Sequence, residues 1–459
     1  MGEDMPQDQD SEQDIEYLRD RVRALELQIK DKDRQIEDLK ETVRQRESSV
    51  GWRLSQFYGR FFSMGSPLTK LLSRTFNRVS PSGEPAPKNV EAYRAALNEI
   101  LKEREGKIKG IIVYPPTVDW NIPLFQRPQQ LALELSKSGY LFFFSTGKNL
   151  YDRVDGFRKI NDNCYVTNQY DLVIKELPKF ILLLSSTNLG VLLEDVARMK
   201  GKATVVYDYI DEIHRDISKE NVDHAFKRHE YMKRHADVFI ATADNLYNEA
   251  LKDRPKDTYL IPNGVDYDHF HVQRNPANVP LDLAPILEKK KPVIGYYGAL
   301  ASWFDYELIK KAAETRTDLE FVLIGWDYDG SLYKQGLDQY RNIHYLGIKD
   351  YSILPQYAVW FDVATIPFVL NKITESTSPI KVFEYMALGT PIVTTNLREC
   401  RKYRSVLIGK DQGDFLRQLD EALRLRDDTG YKALLDKEAK ENTWDKRAAE
   451  IVERITGKH

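Results

Sequence analysis

Only two cysteines, Cys164 and Cys400, occur among the 459 residues, and neither belongs to a Cys/His cluster with zinc-binding spacing. One disulfide would be a thin framework for so long a chain, so the expectation is a reducing compartment and a fold held together by its cores. Long hydrophobic runs are missing as well: none approaches the roughly 18 apolar residues that a membrane-spanning helix needs. The N-terminus is acidic and lacks the basic-then-apolar pattern of a secretory signal. Nor is there an excess of positive charge. Lys and Arg number 67 against 70 Asp and Glu, a net charge of −3, which gives no electrostatic case for a nucleic-acid partner. Together these absences point to a cytoplasmic protein, at the inner face of the cell membrane if it touches a membrane at all.

What is present divides the chain into regions. Its length implies two or three domains, and 42% hydrophobic with 30% charged residues is the composition of a soluble protein. Residues 1–12 are acidic and Gln-rich, the composition of a disordered tail. Over 13–48, Ile15, Leu18, Val22, Leu25, Ile29, Ile36, Leu39 and Val43 recur at alternating spacings of three and four, interrupted only by Lys32. That periodicity predicts a coiled coil of two or three strands, the alternative being one solvated helix. The segment 49–90 changes character. Trp52, Phe57, Tyr58, Phe61, Phe62 and Phe76 interleave with Arg53, Arg60, Lys70, Arg74 and Arg78, with no acidic residue between 51 and 80. Such a segment suits the interface of an anionic bilayer or, alternatively, docks on the body of the protein. Ser80 to Pro87 reads as a linker.

From Lys109 the pattern becomes β-α alternation. Near-continuous Val/Ile/Leu/Phe runs at Gly110–Tyr114, Leu141–Ser145, Phe180–Leu184, Thr204–Tyr207 and Val238–Ala241 predict strands of a parallel sheet covered on both faces. A second series follows at Val293–Tyr297, Phe321–Ile324, Ile343–Leu346, Val363–Pro367, Ile392–Thr395 and Val406–Ile408. The fold class is therefore α/β, with Rossmann-like domains over 91–270 and 271–430 facing a cleft. A helical, amphipathic terminus, 431–459, follows, which Trp444 would anchor.

One stretch organises the rest: Ser376-Thr-Ser-Pro-Ile-Lys-Val-Phe-Glu-Tyr-Met-Ala-Leu-Gly-Thr-Pro-Ile-Val-Thr-Thr395. It reads as loop, short helix, turn and buried strand, with Ser378 as cap and Pro379 opening the helix at Ile380. Free N–H groups at the helix start and Lys381 in its first turn would attract an anion, phosphate above all. Glu384, one turn on, is a carboxylate suited to accepting hydrogen bonds from the vicinal hydroxyls of a ribose. A phosphate cation beside a ribose acceptor indicates a nucleotide.

These residues resemble the donor-binding segment of family 4 glycosyltransferases, retaining enzymes of the GT-B fold in which the helix carries a Glu on the donor ribose. Leu260-Ile-Pro-Asn-Gly-Val-Asp266, followed by Phe270, is similar to that family's interdomain junction. The resemblance implies transfer of a sugar from a nucleotide-diphosphate sugar to a growing surface polysaccharide or lipid-linked glycan, with retention of configuration and without a metal. No organic cofactor is implied, and the terminal helix over 431–459 is implied to cross back onto the first domain. The coiled coil would pair the chain with itself or another glycosyltransferase. The loop Pro115 to Gln130 looks like the QRP loop of a bacterial cell-surface polysaccharide branch, and Trp120, Asn121, Gln126 and Arg127 in it are acceptor-binding candidates, with Asp119 beside them. Tyr207-Asp-Tyr-Ile-Asp-Glu-Ile-His214 offers Asp208 or Asp211 as a base and His214 as an acceptor contact, or else these groups cap the next helix.

Three departures from the family stand out. The Gly-rich loop of the first domain is missing. Gly295 to Asp305, which contains Gly298, lacks the Arg and Lys that the family places on the donor diphosphate, so Lys381 must carry that charge, with Lys372 as a possible helper. The sugar-contacting Glu is replaced by Ser376, with Glu375 one residue earlier. Asn342 to Ile348 is similar to the segment that brackets the base through backbone, which makes Ile348 a donor contact. Asp327-Tyr-Asp329 matches the Asp-x-Asp metal motif of another fold, and the two-domain pattern argues against metal. The competing readings are a non-catalytic glycan- or nucleotide-binding assembly protein recruited to the membrane, and a nucleotide-sugar epimerase of the same fold.

Overall fold

The computed structural model describes residues 90–122, 125–186, 196, 197, 199, 201–215 and 222–457. The chain divides into a unit spanning Met1–Ala92, nearly all of which lies outside the described residues, and a unit spanning Tyr93–His459. The disordered tail expected over 1–12, the coiled coil over 13–48 and all but the last residue of the segment 49–90 lie outside the described residues.

The unit Tyr93–His459 carries two sheets. The first is built from β1 (Gly110–Tyr114), β2 (Tyr140–Ser145), β3 (Phe157–Asn161), β4 (Cys164–Thr167), β5 (Phe180–Ser185), β6 (Ala203–Tyr209), β7 (Val238–Ala241) and β8 (Thr258–Leu260). Their order is β3-β4-β2-β1-β5-β6-β7-β8, parallel throughout except for β3. The second holds β9 (Val293–Tyr297), β10 (Glu320–Ile324), β11 (Ile343–Tyr345), β12 (Val363–Ile366), β13 (Ile392–Thr395) and β14 (Val406–Gly409), in the all-parallel order β11-β10-β9-β12-β13-β14. Helices cover both faces, which is why β2, Tyr-Leu-Phe-Phe-Phe-Ser, is buried at every position instead of alternating.

Every strand expected from an apolar run is found. The added ones, β3, β4 and β8, are short; β3 and β8 are the two edges, and β4 lies between β3 and β2. Phe-Arg-Lys-Ile-Asn in β3 pairs on one side only, so it needs no continuous apolar run and leaves little signal.

The C-terminal region is three helices: Gln412–Leu425, Thr429–Glu441 and Trp444–Thr456. Thr429–Glu441 packs on the second lobe, so the return to the first lobe begins at 442–443 and not at 431. There Val265 N–H donates to the Asn442 carbonyl at 3.0 Å, and Trp444 N–H donates to the Val265 carbonyl at 3.1 Å. Trp444, Ala448 and Ile451 then bury into the first lobe's core beside Leu131 and Leu135. Gly264 permits this close pass, since a Cβ there would lie 3.0 Å from the Asn442 carbonyl oxygen.

Candidate active site between the two lobes

The order of the second sheet reverses between β9 and β12, and in open α/β sheets ligands bind outside the carboxyl ends of the strands at such a point. Tyr297 ends β9 and Gly298 follows with φ +138°. Lys381 reaches over Gly298 from the first turn of the helix Ile380–Ala387. The φ favours glycine, and a Cβ at 298 would lie 2.8 Å from Lys381 Cε and push the lysine end aside. The Lys381 Nζ stands 5.5 Å from the centroid of the Tyr296 ring and 5.2 Å from that of Phe368. Among the described residues it has no ion pair and no hydrogen bond. Lys381 is half-buried, and loss of water pulls its pKa below the usual lysine range, partly offset by the charge of Glu384.

Glu384 is buried, and its Oε2 accepts a 2.7 Å hydrogen bond from the Tyr297 hydroxyl. Burial pushes its pKa up, opposed by that hydrogen bond and by Lys381. Tyr297 is in turn fixed through its backbone N–H, which donates to the Tyr385 hydroxyl at 3.1 Å. A cation and a carboxylate one turn apart are thus both held away from water, and neither charge is matched by direct contact with the other. An anion arriving at Lys381 would supply the missing counter-charge.

The start of this helix differs from expectation. Pro379 occupies the cap position, and no side chain caps the helix. Ser378 instead joins the lobes: its Oγ accepts from Asn263 N–H at 3.4 Å and its carbonyl accepts from Asn263 Nδ2 at 2.7 Å. The first N–H groups at the helix mouth are consequently left for a ligand or water. Ile380 packs against the first lobe's core. Ser376 is buried and Glu375 half-buried in the turn Thr374–Ser376, where the Glu375 carbonyl accepts from Asn245 Nδ2 at 3.0 Å. Ile348 is half-buried in the segment after β11, which is tied to β10 by Gly325 N–H donating to the Gly347 carbonyl at 2.8 Å. Lys372 does not help at the phosphate position: its Nζ pairs with Glu212 of the first lobe at 2.7 Å.

The first-lobe candidates fall into two groups. Arg127 and Asp208 are both buried and form a fork-to-fork pair, with Nε to Oδ2 at 2.8 Å and Nη2 to Oδ1 at 3.0 Å. The remaining Nη1 donates to the Pro262 carbonyl at 3.0 Å and to Asn263 Oδ1 at 3.3 Å. Asp208, Arg127, Asn263 and Ser378 therefore form one polar brace across the lobe junction, and both oxygens of the Asp208 carboxylate are engaged in it. Trp120 is buried, its ring edge-on to Phe144 at 5.2 Å, and its backbone N–H donates to the Asp152 carboxylate; it packs in the core. Asp119 is buried as well and accepts from Thr146, Asn149 and Tyr151, which shapes the loop. Asn121 and Gln126 are exposed, and Gln126 stands at the cap of the helix Arg127–Lys137.

Asp211 is the carboxylate that the brace leaves over. It follows β6 and carries no hydrogen bond among the described residues. Burial, with a contribution from Asp208, raises its pKa to about 6. The next residue, Glu212, pairs with Lys372 of the second lobe, which sets Asp211 at the lobe junction. His214 is half-buried three residues further on.

Asp327 and Asp329 shape a turn. Asp329 accepts from Ser302 N–H at 2.9 Å and from Ser331 N–H at 3.0 Å, and Asp327 from Leu332 N–H at 3.3 Å. His229, Glu230 and Glu249 cluster at metal-binding distances, but the Lys233 ammonium fills that cluster, 2.9 Å from Glu230 and 2.8 Å from both Glu249 and Asp253. Sequence reasoning missed Tyr297, Asn263 and the Lys372–Glu212 pair. Asn263 lay inside a quoted motif, yet a turn-forming Asn-Gly gives no hint of a partner 115 residues away.

Comparison with known proteins bears on the fold. Residues 291–424 match the family model described as "Glycosyl transferases group 1". Over 219 residues the chain is 26% identical to the putative teichuronic acid biosynthesis glycosyltransferase TuaH of Bacillus subtilis (strain 168), covering 46% of this chain. The chain spans about half the length of that curated relative, 54%. Anabaena Alr3699/HepE, solved in complex with UDP and glucose, superposes with a TM-score of 0.56 at 14% identity, over 76% of this chain and 99% of that one. WaaG, a glycosyltransferase involved in lipopolysaccharide biosynthesis, gives 0.53 at 12% identity, over 76% and 100%. The trehalose 6-phosphate synthase of Burkholderia multivorans gives 0.55 at 11% identity, over 76% and 98%. At these identities the likeness is one of fold, and that fold is the two-sheet GT-B arrangement expected from the sequence.

Proposed function

We propose that the chain is a glycosyltransferase that moves a sugar from a nucleotide-diphosphate sugar to a surface polysaccharide or lipid-linked glycan. One observation carries this: a half-buried Lys381 with no counter-ion lies over Gly298, one turn from a buried Glu384 held by Tyr297, at the switch point of a parallel sheet. Lys381 and the uncapped helix start would neutralise the diphosphate, and Glu384 would accept from the ribose hydroxyls. The structure with UDP and glucose bound to a protein of the same fold supports a uridine nucleotide as the first donor to try.

In the reaction the bond between the anomeric carbon and the diphosphate oxygen breaks, and its electron pair leaves with the phosphate. A bond from the acceptor oxygen to that carbon forms. Lys381 stabilises the departing charge. In the retaining course, which the family resemblance favours, the acceptor proton passes to the leaving phosphate. In an inverting course it passes to Asp211, whose unshared carboxylate stands at the lobe junction, while Asp208 stays paired. Neither course calls for a metal. The expected coiled coil and basic-aromatic segment would bring partners and an anionic bilayer to this body.

Titration calorimetry with UDP, GDP, dTDP and UDP-glucose, followed by donor turnover with and without glycan, tests the reading. The expected result is micromolar binding of one nucleotide, lost in Glu384→Ala, and NMR of the product gives the anomeric configuration. Binding that is the same in Glu384→Ala would remove the ribose role. Turnover of the donor to another sugar nucleotide without acceptor would make the chain an epimerase.

A further inference from the structure

Three loops of the second lobe leave the carboxyl ends of β9, β10 and β12 and are stitched together by backbone. Leu300 N–H donates to the Trp326 carbonyl at 2.8 Å, Tyr328 N–H to the Leu300 carbonyl at 2.9 Å, and Val369 N–H to the Trp303 carbonyl at 2.8 Å. They present aromatic surface at the strand ends where a sheet of this kind binds ligands. The Tyr328 ring is 5.2 Å from that of Trp303 and 5.5 Å from that of Trp326, and it remains 44% exposed. Leu370 is 44% exposed beside them. Trp303 and Trp326 are half-buried, Trp303 resting on the second lobe's core, and the Tyr328 ring lies over them with its outer face open, the form of a stacking platform for a ligand.

The surroundings restrict what that ligand is. Asp211 of the first lobe precedes Glu212, whose 2.7 Å pair with Lys372 brings this stretch to the second lobe, and its charge adds to the rise that burial gives the Tyr328 pKa. Asp327 and Asp329 flank Tyr328 in sequence. Lys372 is already matched by Glu212, so the rim is acidic. An anionic sugar or phosphate would be repelled. A neutral pyranose has an apolar C–H face for stacking and hydroxyls that donate to carboxylates.

We propose that the Trp303–Tyr328–Trp326 surface is the subsite for the acceptor's terminal sugar, and that this sugar is a neutral hexopyranose whose reacting hydroxyl points to Asp211. The inference rests on the glycosyltransferase reading above. It assigns to the nucleotide-holding lobe a part in acceptor recognition, and it makes the charge of the acceptor terminus a property of this chain.

Saturation-transfer NMR on the full chain, with UDP present, tests it. The probes are methyl glycosides of glucose, galactose, mannose and N-acetylglucosamine, with methyl glucuronide as the anionic control. The expected result is saturation of one face of at least one neutral ring and none of the glucuronide. Tyr328→Ala should lower that signal about tenfold, while Tyr328→Phe, which keeps the ring, should retain it. Equal signal in Tyr328→Ala, saturation of the glucuronide, or no saturation of any neutral probe would overturn the proposal. UDP affinity, measured in the same samples, separates the two readings. If UDP binds and the ring signal ignores Tyr328, only the subsite falls. If no nucleotide binds, the enzymatic reading falls with it.

Discussion

Replacing Lys381 with methionine separates a ligand-binding role from a structural one, because the two predict opposite changes in stability. Methionine keeps the stem that passes Gly298 and lies near the Tyr296 and Phe368 rings, and removes only the ammonium. In the folded chain burial disfavours that ammonium, so its loss relieves a cost and the melting temperature should hold or rise. The pH dependence has a definite sign. Lys381 binds its proton less tightly when folded, so between its depressed folded value and the unfolded value of about 10.4 the unfolded chain carries more protons, and stability rises with pH. That rise should be absent from the variant. Ligand binding should move the other way. At about 4 Å and an effective dielectric near 20, one charge pair is worth about 4 kcal/mol, and truncating one partner of a desolvated pair costs about 2–5 kcal/mol. The uncapped helix start still favours the diphosphate, so the lower half of that range applies, about a hundredfold in Kd. Calorimetry with UDP and differential scanning calorimetry read the two quantities. Unchanged UDP affinity, or a melting temperature lowered by several degrees, would refute the assignment of Lys381 to the diphosphate.

Asp211→Asn should remove an acid limb centred near pH 6 from the rate profile if Asp211 is the base, and should leave the rate within a few fold if the leaving phosphate is. Because its pKa is raised on folding, the stability linked to Asp211 is full below about pH 4 and lost as pH rises through about 6, so the asparagine variant should melt higher at pH 8. Arg127→Met leaves the buried Asp208 carboxylate unpaired and should cost about 3–5 kcal/mol in chemical denaturation; adding Asp208→Asn should recover part of that, and a single variant as stable as the parent would contradict the brace. Gly298→Ala forces a side chain onto φ +138° and against the Lys381 stem. Backbone strain of about 1–3 kcal/mol should lower the melting temperature, and UDP affinity should fall by about tenfold or more, which calorimetry would detect.

How much of this was legible in the sequence depends on the range of the interaction that fixes each feature. Parallel strands buried on both faces announce themselves as apolar runs, so β1, β7, β9 and β13 match their expected limits residue for residue. The edge strand β3, with solvent on one side, has no such run. Lys381 and Glu384 were readable because both lie in one short helix and their spacing is local. Trp120 and Arg127 were identified as acceptor contacts from residue type and loop position alone. Their neighbours decide otherwise: Trp120 turns into the core against Phe144, and Arg127 is used up by Asp208 and the Pro262 carbonyl, residues 81 and 135 positions away. The same limit hid the aromatic surface, since Trp303 and Tyr328 meet only once three loops are bonded together.

The two places where the backbone passes between the lobes, near Val265 and near Thr443, are hydrogen-bonded side by side. Paired strands of chain act as the pin of a door. They resist sliding and leave swing about a single axis as the easy motion. Ser378, clamped to Asn263 close to that axis, would travel least, and opening further out would have to part the Glu212–Lys372 pair. On the proposed function, a nucleotide seated by the hinge would settle while the door stands ajar, and the sugar that receives the transfer would enter last and leave first.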